Sequence, residues 1–424
     1  MKITVNTLGT RGDIQPYIAL SLGLQQAGHS IRILTHQIFE DFVREHGLEV
    51  YPLQLDPRQV LVNQALSELG NNTIRINRWM EENFKSGLQY LFIETLNANR
   101  GADLILNSGL SFAGWHVAEK LNIPAIATYL WPVTPSRHFP AATGKIPPKW
   151  LPLRGIVNYL STKLFNQLFF NLLLPSVNRC REDILDLRPL TRRDYWSLDS
   201  PRSPTPLIYG YSPVVVPKPP DWSGNQHISG YWFLDTAKDY QPEKTLLDFL
   251  ADAPPPVYIG FGSMVDHERE EITQIVIHAL RETKQRGILL GGWSRLGSGD
   301  LPDFILQIDE VPHDWLFPKM AVVVHHGGAG TTAAGLRAGV PSVIVPTFGD
   351  QFFWGWRVHE LGVGPKPIAR KKLTITNLTN AIQQAIYNDD IKNKASQIGQ
   401  QIRAENGVET AVRMIESFIT NGHL

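Results

Sequence analysis

The sequence predicts an α/β protein built from two doubly wound parallel sheets that face each other across a cleft. Three observations predict it. The β-branched run at 322–324 reads as a buried parallel strand, and short runs at 3–6, 102–107 and 257–262 read as further strands. Near the start of the chain and again near residue 322, a strand runs through a glycine turn into a helix, the opening of a βαβ unit. Between the two halves stands a proline break, DAPPP at 252–256, after which strand-helix alternation restarts.

In order, residues 3–6 form a strand, 8–12 a turn and 13–28 a helix carrying Ile18, Leu20, Leu22 and Leu24, with a second strand over 29–35. Strands follow at 102–107 and 124–128 with a helix over 114–121 between them. Residues 131–175 differ: prolines and aromatics come first, then an apolar stretch at 156–174. That stretch reads first as a core helix, and otherwise as the wall of an acceptor pocket or a face that docks on lipid. Short strands are expected at 207–211, 214–216 and 227–232. The first domain is placed at 1–235 and a linker with the hinge at 236–256. In the second domain, 257–402, strands are expected at 257–262, 287–291 and 304–308, and helices at 268–285 and 352–361. A last helix within 403–424 is expected to cross back onto the first domain.

Composition narrows the functional classes. The 424 residues suffice for two or three domains, and Lys+Arg and Asp+Glu are both 40. A nucleic-acid binder needs a basic surplus that this chain lacks. The single cysteine, Cys180, excludes a disulfide framework and fits a reducing, cytoplasmic compartment. The N-terminus reads as a strand and turn rather than a signal peptide, and no uncharged run approaches the roughly 20 apolar residues of a membrane span. The expectation is a soluble protein, with peripheral contact at a membrane surface still allowed.

The chemistry concentrates in VVVHHGGAGTTAAGLRAGVPSVIVPTFGDQ, residues 322–351. The glycines let backbone approach a ligand, and free N–H groups at a helix start suit an anion. Gly328, Ala329, Gly330, Thr331 and Thr332 would supply donors to a phosphate or pyrophosphate. Strand alternation lets only one histidine face the cleft, and His326, nearer the turn, is the candidate. Asp350, ahead of Gln351 and the apolar residues after it, reads as the cap of the helix that follows. Asp13, with Pro16 behind it, has the look of a helix cap too.

Together, GTRGDIQPYIAL near the N-terminus and HHGGAGTTAAGLRAGVPSVIVPTFGDQ resemble the GT-B nucleotide-sugar glycosyltransferases, and most of all their sterol 3-β-glucosyltransferase and natural-product branch. The likeness runs from residue 1 to about residue 420. It implies a GT-B fold and an inverting transfer of a hexose, glucose by expectation, from a UDP-sugar to a hydroxyl of a hydrophobic acceptor such as a sterol or other lipid. It implies Asp13 as the base that takes the acceptor's proton and His326 as a catalytic donor to the pyrophosphate, expected protonated. Thr10 and Arg11 would reach the donor from across the cleft. Ser263 would reach a phosphate oxygen, Val311 and His313 would hold the nucleoside, and Asp350 and Gln351 the sugar. Trp131, His138, Phe139 and Trp150 are the candidate acceptor pocket. No cofactor is expected and no metal, since no DxD triplet or His/Cys ligand spacing occurs. Rival readings are a glycolipid, carotenoid or polyketide acceptor, a UDP-sugar epimerase, and a non-catalytic nucleotide-sugar binder.

Overall fold

The structure is a computed structural model, and it describes residues 1–55, 87–142, 146–192, 194, 206–222, 224–235, 240–252, 254–261, 269–291 and 301–420. The first half is a seven-stranded sheet, every pairing parallel. Its strands are β1 (Lys2–Asn6), β2 (Ser30–His36), β3 (Glu49–Leu53), β4 (Leu104–Asn107), β5 (Ala125–Tyr129), β6 (Leu207–Tyr209) and β7 (Gln226–Ile228). Their order is β3-β2-β1-β4-β5-β6-β7, so the winding reverses between β1 and β4. The second half holds five parallel strands: β8 (Val257–Gly260), β9 (Gly287–Leu290), β10 (Ile305–Ile308), β11 (Val322–His325) and β12 (Ser342–Ile344). Here the order is β10-β9-β8-β11-β12, with the reversal between β8 and β11. Every residue of β4, β8 and β11 is buried, as strands covered by helices on both faces must be. In such sheets a crevice opens at the strands' carboxyl ends where the winding reverses. The chain has one in each half.

The halves are joined on two sides. The C-terminal helix Gly407–Thr420 leaves the second half and buries Ala411, Val412 and Ile415 in the core formed by β1, β2 and the helix Arg11–Gln26. An aromatic cluster spans the junction: Phe139 meets Trp222 and Phe353 edge-on at 5.7 and 5.8 Å, and Tyr211 meets Trp354 at 6.2 Å. Arg357 Nε donates to the Val215 carbonyl across the same seam at 2.9 Å.

Several expectations change. Residues 214–216 make no strand; Val215 and Val216 both donate backbone N–H to the Ser212 carbonyl in a turn. Within the expected linker a helix, Lys244–Ala251, docks on the second half through Leu246, and Arg286 Nη2 holds the Pro254 carbonyl at 2.7 Å. The apolar stretch at 156–174 lies in a 30-residue helix, Arg154–Asp183, that is no core helix: Leu160, Leu164, Phe165, Leu168 and Phe169 are exposed. Cys180 is buried, and desolvation pushes its thiol up to about 11, so it is inert packing. Among the described residues no helix is long and apolar enough to cross a membrane.

The docked C-terminal helix gives a stability test. Ile415→Ala removes a fully buried side chain and should cost about 2–5 kcal/mol, read as a lowered thermal midpoint. Arg413→Ala, on the exposed side of the same helix, should stay within about 0.5 kcal/mol of the parent. Equal midpoints for the two variants would show that the helix adds nothing to the first domain.

Candidate active site

In the first half the site begins where β1 ends. Gly9 adopts φ +129°, and a Cβ there would run into Asp13 Oδ2, so this turn requires glycine. The helix Arg11–Gln26 starts just beyond, with Thr10 at its N-cap and Asp13 three residues in. Asp13 is therefore not the cap but its reciprocal partner: Oδ2 accepts from Thr10 N at 2.8 Å and Thr10 Oγ1 at 2.9 Å. Beneath the turn, Gly9 N donates to His36 Nε2 at 3.1 Å, and His36 Nδ1 lies 2.7 Å from the Leu55 carbonyl. Desolvation raises the Asp13 carboxyl above its usual range, and the two Thr10 bonds pull the other way.

Asp13 faces a small, partly open hollow in the crevice between β1 and β4, lined by Leu8, Tyr17, Ser108, Leu110, Leu130 and Trp131 among others. The Tyr17 hydroxyl is tied to the Thr128 carbonyl at 3.0 Å, so the ring presents its body rather than its OH. Of the four acceptor-pocket candidates, Trp131 alone lies here. Phe139 is buried in the aromatic junction, while His138 and Trp150 are exposed. Sequence reasoning missed Leu8, Ser108, Leu110 and Leu130. The strand-then-NSGL pattern at 104–110 was the available signal, since it marks the end of the strand beside β1.

In the second half the glycine turn lies at the end of β11, in the crevice beside β8. His325 is fully buried and its Nδ1 accepts from Gly327 N at 3.1 Å, pinning the turn from below. His326 is half-exposed, and its Nδ1 is buried with no hydrogen-bond partner in the protein. Desolvation holds its imidazole down at about 4, against a smaller opposing pull from the Gly260 carbonyl. The expected imidazolium is thus corrected: near neutral pH His326 is an uncharged donor. The helix Ala329–Ala338 begins at Gly328, and Ala329, Gly330 and Thr331 are half-exposed in its first turn. Thr332 is fully buried, so its side chain is removed from the donor set, and only its backbone serves the helix start.

His313 stacks on Phe317 at 4.2 Å and sits 3.4 Å from the Tyr258 hydroxyl. Desolvation, with Arg11 and His326 nearby, lowers it to about 4. Val311 is buried in the core below. Arg11 pairs with Glu310 across the cleft and lies 4.6 Å over the Phe42 ring. Ser263 lies outside the described residues.

Asp350 makes no side-chain cap to its helix; its Oδ2 instead accepts from Trp354 Nε1 at 2.9 Å. Burial, then the charge of Asp13 across the cleft, push its carboxyl up to about 7. Trp354, one helical turn on, is a site residue that sequence reasoning missed. Gln351 is buried, and its Oε1 accepts from Thr347 N and Phe348 N at 2.8 and 3.2 Å.

The two helix starts meet. A Cβ on Gly330 would lie 3.7 Å from Gly12 Cα and from its carbonyl oxygen. Arg11 and His326 lie near enough to lower His313, and Asp13 near enough to raise Asp350. Such a cleft can hold an anion on N–H donors while keeping carboxylates beside a hydroxylated ring. Among the described residues no three His, Cys, Asp or Glu side chains could hold a metal ion.

Known families and solved structures resemble this chain over nearly all of its length. The Glycosyltransferase family 28 N-terminal domain matches residues 3–140, and the Erythromycin biosynthesis protein CIII-like C-terminal domain matches residues 288–416. A sterol 3-beta-glucosyltransferase of Arabidopsis thaliana is 36% identical over 426 residues, covering 97% of this chain and 67% of its own length. One from Neurospora crassa is 39% identical over 432 residues, covering 98% of this chain and 27% of its own. The chain thus spans between about a quarter and two thirds of the curated relatives it matches. Two solved structures share the GT-B fold. The calicheamicin glycosyltransferase has a TM-score of 0.67 at 17% identity, covering 99% of this chain and 98% of its own. The glycosyltransferase SnogD from Streptomyces nogalater has 0.66 at 16%, covering 99% and 100%.

The carboxylate pair sets a pH test. Asp350 ionises near 3.8 in an unfolded chain and near 7 in the folded one, so between those values the folded form holds the extra proton and loses stability as pH rises. His326 and His313, neutral down to about 4, act in the opposite sense up to 6.5. Asp350→Asn removes only the falling component. Its thermal midpoint relative to the parent should climb from pH 4 to pH 7 and then level off. A flat difference would mean that Asp350 titrates like an exposed carboxylate.

Proposed function

The chain belongs to the family of the sterol 3-beta-glucosyltransferases, and from that membership we propose that it moves glucose from UDP-glucose to the hydroxyl of a sterol or similar hydrophobic acceptor, with inversion and without metal. The observation that carries the reading is the Asp13 carboxylate at an apolar cavity, facing Asp350 across the cleft and adjoining a helix start with an unpartnered buried histidine nitrogen.

The acceptor enters the Leu110–Leu130–Trp131 cavity with its hydroxyl toward Asp13. Its oxygen attacks the anomeric carbon while the bond from that carbon to the diphosphate oxygen breaks. Asp13 takes the hydroxyl proton. Desolvation raises its basicity, and the Thr10 bonds keep the carboxylate aimed and ionised. The departing diphosphate rests on the backbone N–H groups of Ala329, Gly330 and Thr331, with a ring N–H of neutral His326 as a further donor. Asp350, ionising near 7, can both donate to and accept from a sugar hydroxyl. His313 and the Val311 backbone hold the nucleoside. A lipid acceptor calls for peripheral attachment to a bilayer, with the halves closing on the donor about the aromatic junction.

Asp13→Asn should lower transfer by about 10²–10⁴-fold while leaving UDP affinity, measured by calorimetry, within about twofold, since Asp13 belongs to the other half. His326→Ala should weaken both UDP binding and transfer. The assay is incubation with UDP-glucose and a mixed sterol and lipid extract, the product being identified by mass. Transfer at the parental rate by Asp13→Asn removes the base assignment. UDP-glucose isomerised without acceptor would make the protein an epimerase, and tight UDP binding with no turnover would make it a binder.

A further inference from the structure

The helix Arg154–Asp183 is inverted for a globular surface. The positions it buries in its first half are Asn158 and Thr162, whereas Leu160, Leu164 and Leu168, spaced four apart along one side, are 54%, 60% and 59% exposed. Phe165 and Phe169 stack beside them, also exposed, with centroids 6.3 Å apart. The polar side has a task. Asn158 Nδ2 donates to the Arg137 carbonyl at 3.0 Å and Asn166 Nδ2 to the Val133 carbonyl at 3.0 Å, while Ser161 Oγ accepts from Ala141 N at 3.1 Å. These bonds fasten the helix to residues 131–141, whose first member, Trp131, lines the Asp13 cavity. Just ahead of the helix, Leu153 and Trp150, the latter 79% exposed, extend the apolar patch. Single exposed leucines are ordinary, but a continuous stripe of this length marks an interaction surface.

Charge identifies what covers it. From Arg137 to Arg179 every charged residue of the sequence is basic, Arg137, Lys145, Lys149, Arg154, Lys163 and Arg179, in a chain whose charges balance as a whole; of these Lys149 pairs with Glu360 at 3.1 Å, and Lys145 lies outside the described residues. A second copy would bring the same basic surround against itself. A bilayer with anionic headgroups offers hydrocarbon to the stripe, opposite charge to the lysines and arginines, and a headgroup layer suited to an exposed tryptophan.

We propose that the Leu160–Leu164–Leu168 face, with Trp150 and Leu153, seats this protein on an anionic lipid surface, the helix lying in the interface plane one chain segment from the Asp13 cavity. The seat rests on the chemistry of the face; its use in delivering an acceptor rests on the transferase reading above.

Flotation of the full chain with phosphatidylcholine vesicles, with and without phosphatidylglycerol, tests it. The parent should float with the anionic vesicles and far less with the neutral ones. The triple variant Leu160→Gln, Leu164→Gln, Leu168→Gln should lose at least about tenfold in bound fraction with an unchanged thermal midpoint, because all three side chains already face solvent. A parent that stays unbound, or a variant that floats equally well, overturns the proposal. So does a parental dimer, seen by light scattering, that the variant breaks into monomers, for then a second copy is the occupant. Transfer to a detergent-dispersed acceptor should be equal in parent and variant. If neither transfers while the parent still floats, the transferase reading falls and the membrane seat stands.

Discussion

The site depends on two helix N-termini being brought into contact. Each follows a strand beside the point where its sheet reverses winding, so each half aims a cluster of backbone N–H groups into a crevice. The two starts lie in van der Waals contact, since a Cβ placed on Gly330 would stand 3.7 Å from Gly12 Cα and from its carbonyl oxygen. The two positive ends are then used differently. The first is partly satisfied from within, by the Asp13 carboxylate on Thr10 N. The second keeps its first turn half-exposed, with a histidine nitrogen left over. One end organises a carboxylate; the other is suited to an anion.

Burial, more than pairing, decides the protonation of this cleft. Desolvation is the largest influence on Asp13, Asp350, His313 and His326, and it favours the neutral form of all four. For the carboxylates this raises basicity, and their mutual repulsion adds to it at Asp350. For the histidines it removes the positive charge that a phosphate site would be expected to carry. Arg11 is a cation at that end, and it is tied to Glu310 on the opposite half. An anion in this cleft would also meet neutral donors and helix ends, which are effective because preorganised dipoles in a dry cleft need not reorient.

Apolar surface is distributed unevenly. The seam between halves carries Phe139, Tyr211, Trp222, Phe353 and Trp354, a core-like interface on which the domains can pivot without parting. Trp354 links that seam to the site, since its ring packs against Tyr211 while its indole N–H holds Asp350. The helix Arg154–Asp183 contributes little to any core over its first half. It spends polar side chains on backbone carbonyls of the neighbouring segment and leaves leucines and phenylalanines outside. No folding gain accompanies that exposure, which is why its explanation belongs to a contact outside the chain.

The sequence by itself determined the parallel strands, the two glycine turns into helices, and the residue types at their starts, because these follow from local periodicity and from backbone geometry that only neighbours influence. His326 stood out on that basis, whereas Asp13 and Asp350 read as helix caps and were singled out for the site by resemblance to the GT-B glycosyltransferases. Only the tertiary structure decided which atoms they use and in what charge state. Asp13 serves beside the cap rather than as the cap, Asp350 turns from its own helix start to Trp354, and His326 is neutral, since desolvation and Coulomb effects come from groups hundreds of residues away. It also moved Phe139 into the seam, Thr332 into the core and Leu8, Leu110 and Leu130 into the cavity with Trp131. The apolar run at 156–174 shows the limit most plainly. Hydropathy measures how much a side chain gains by leaving water, but which side of a helix meets protein is fixed by the elements packed against it. Here those elements offered backbone carbonyls, and the polar side turned inward to meet them.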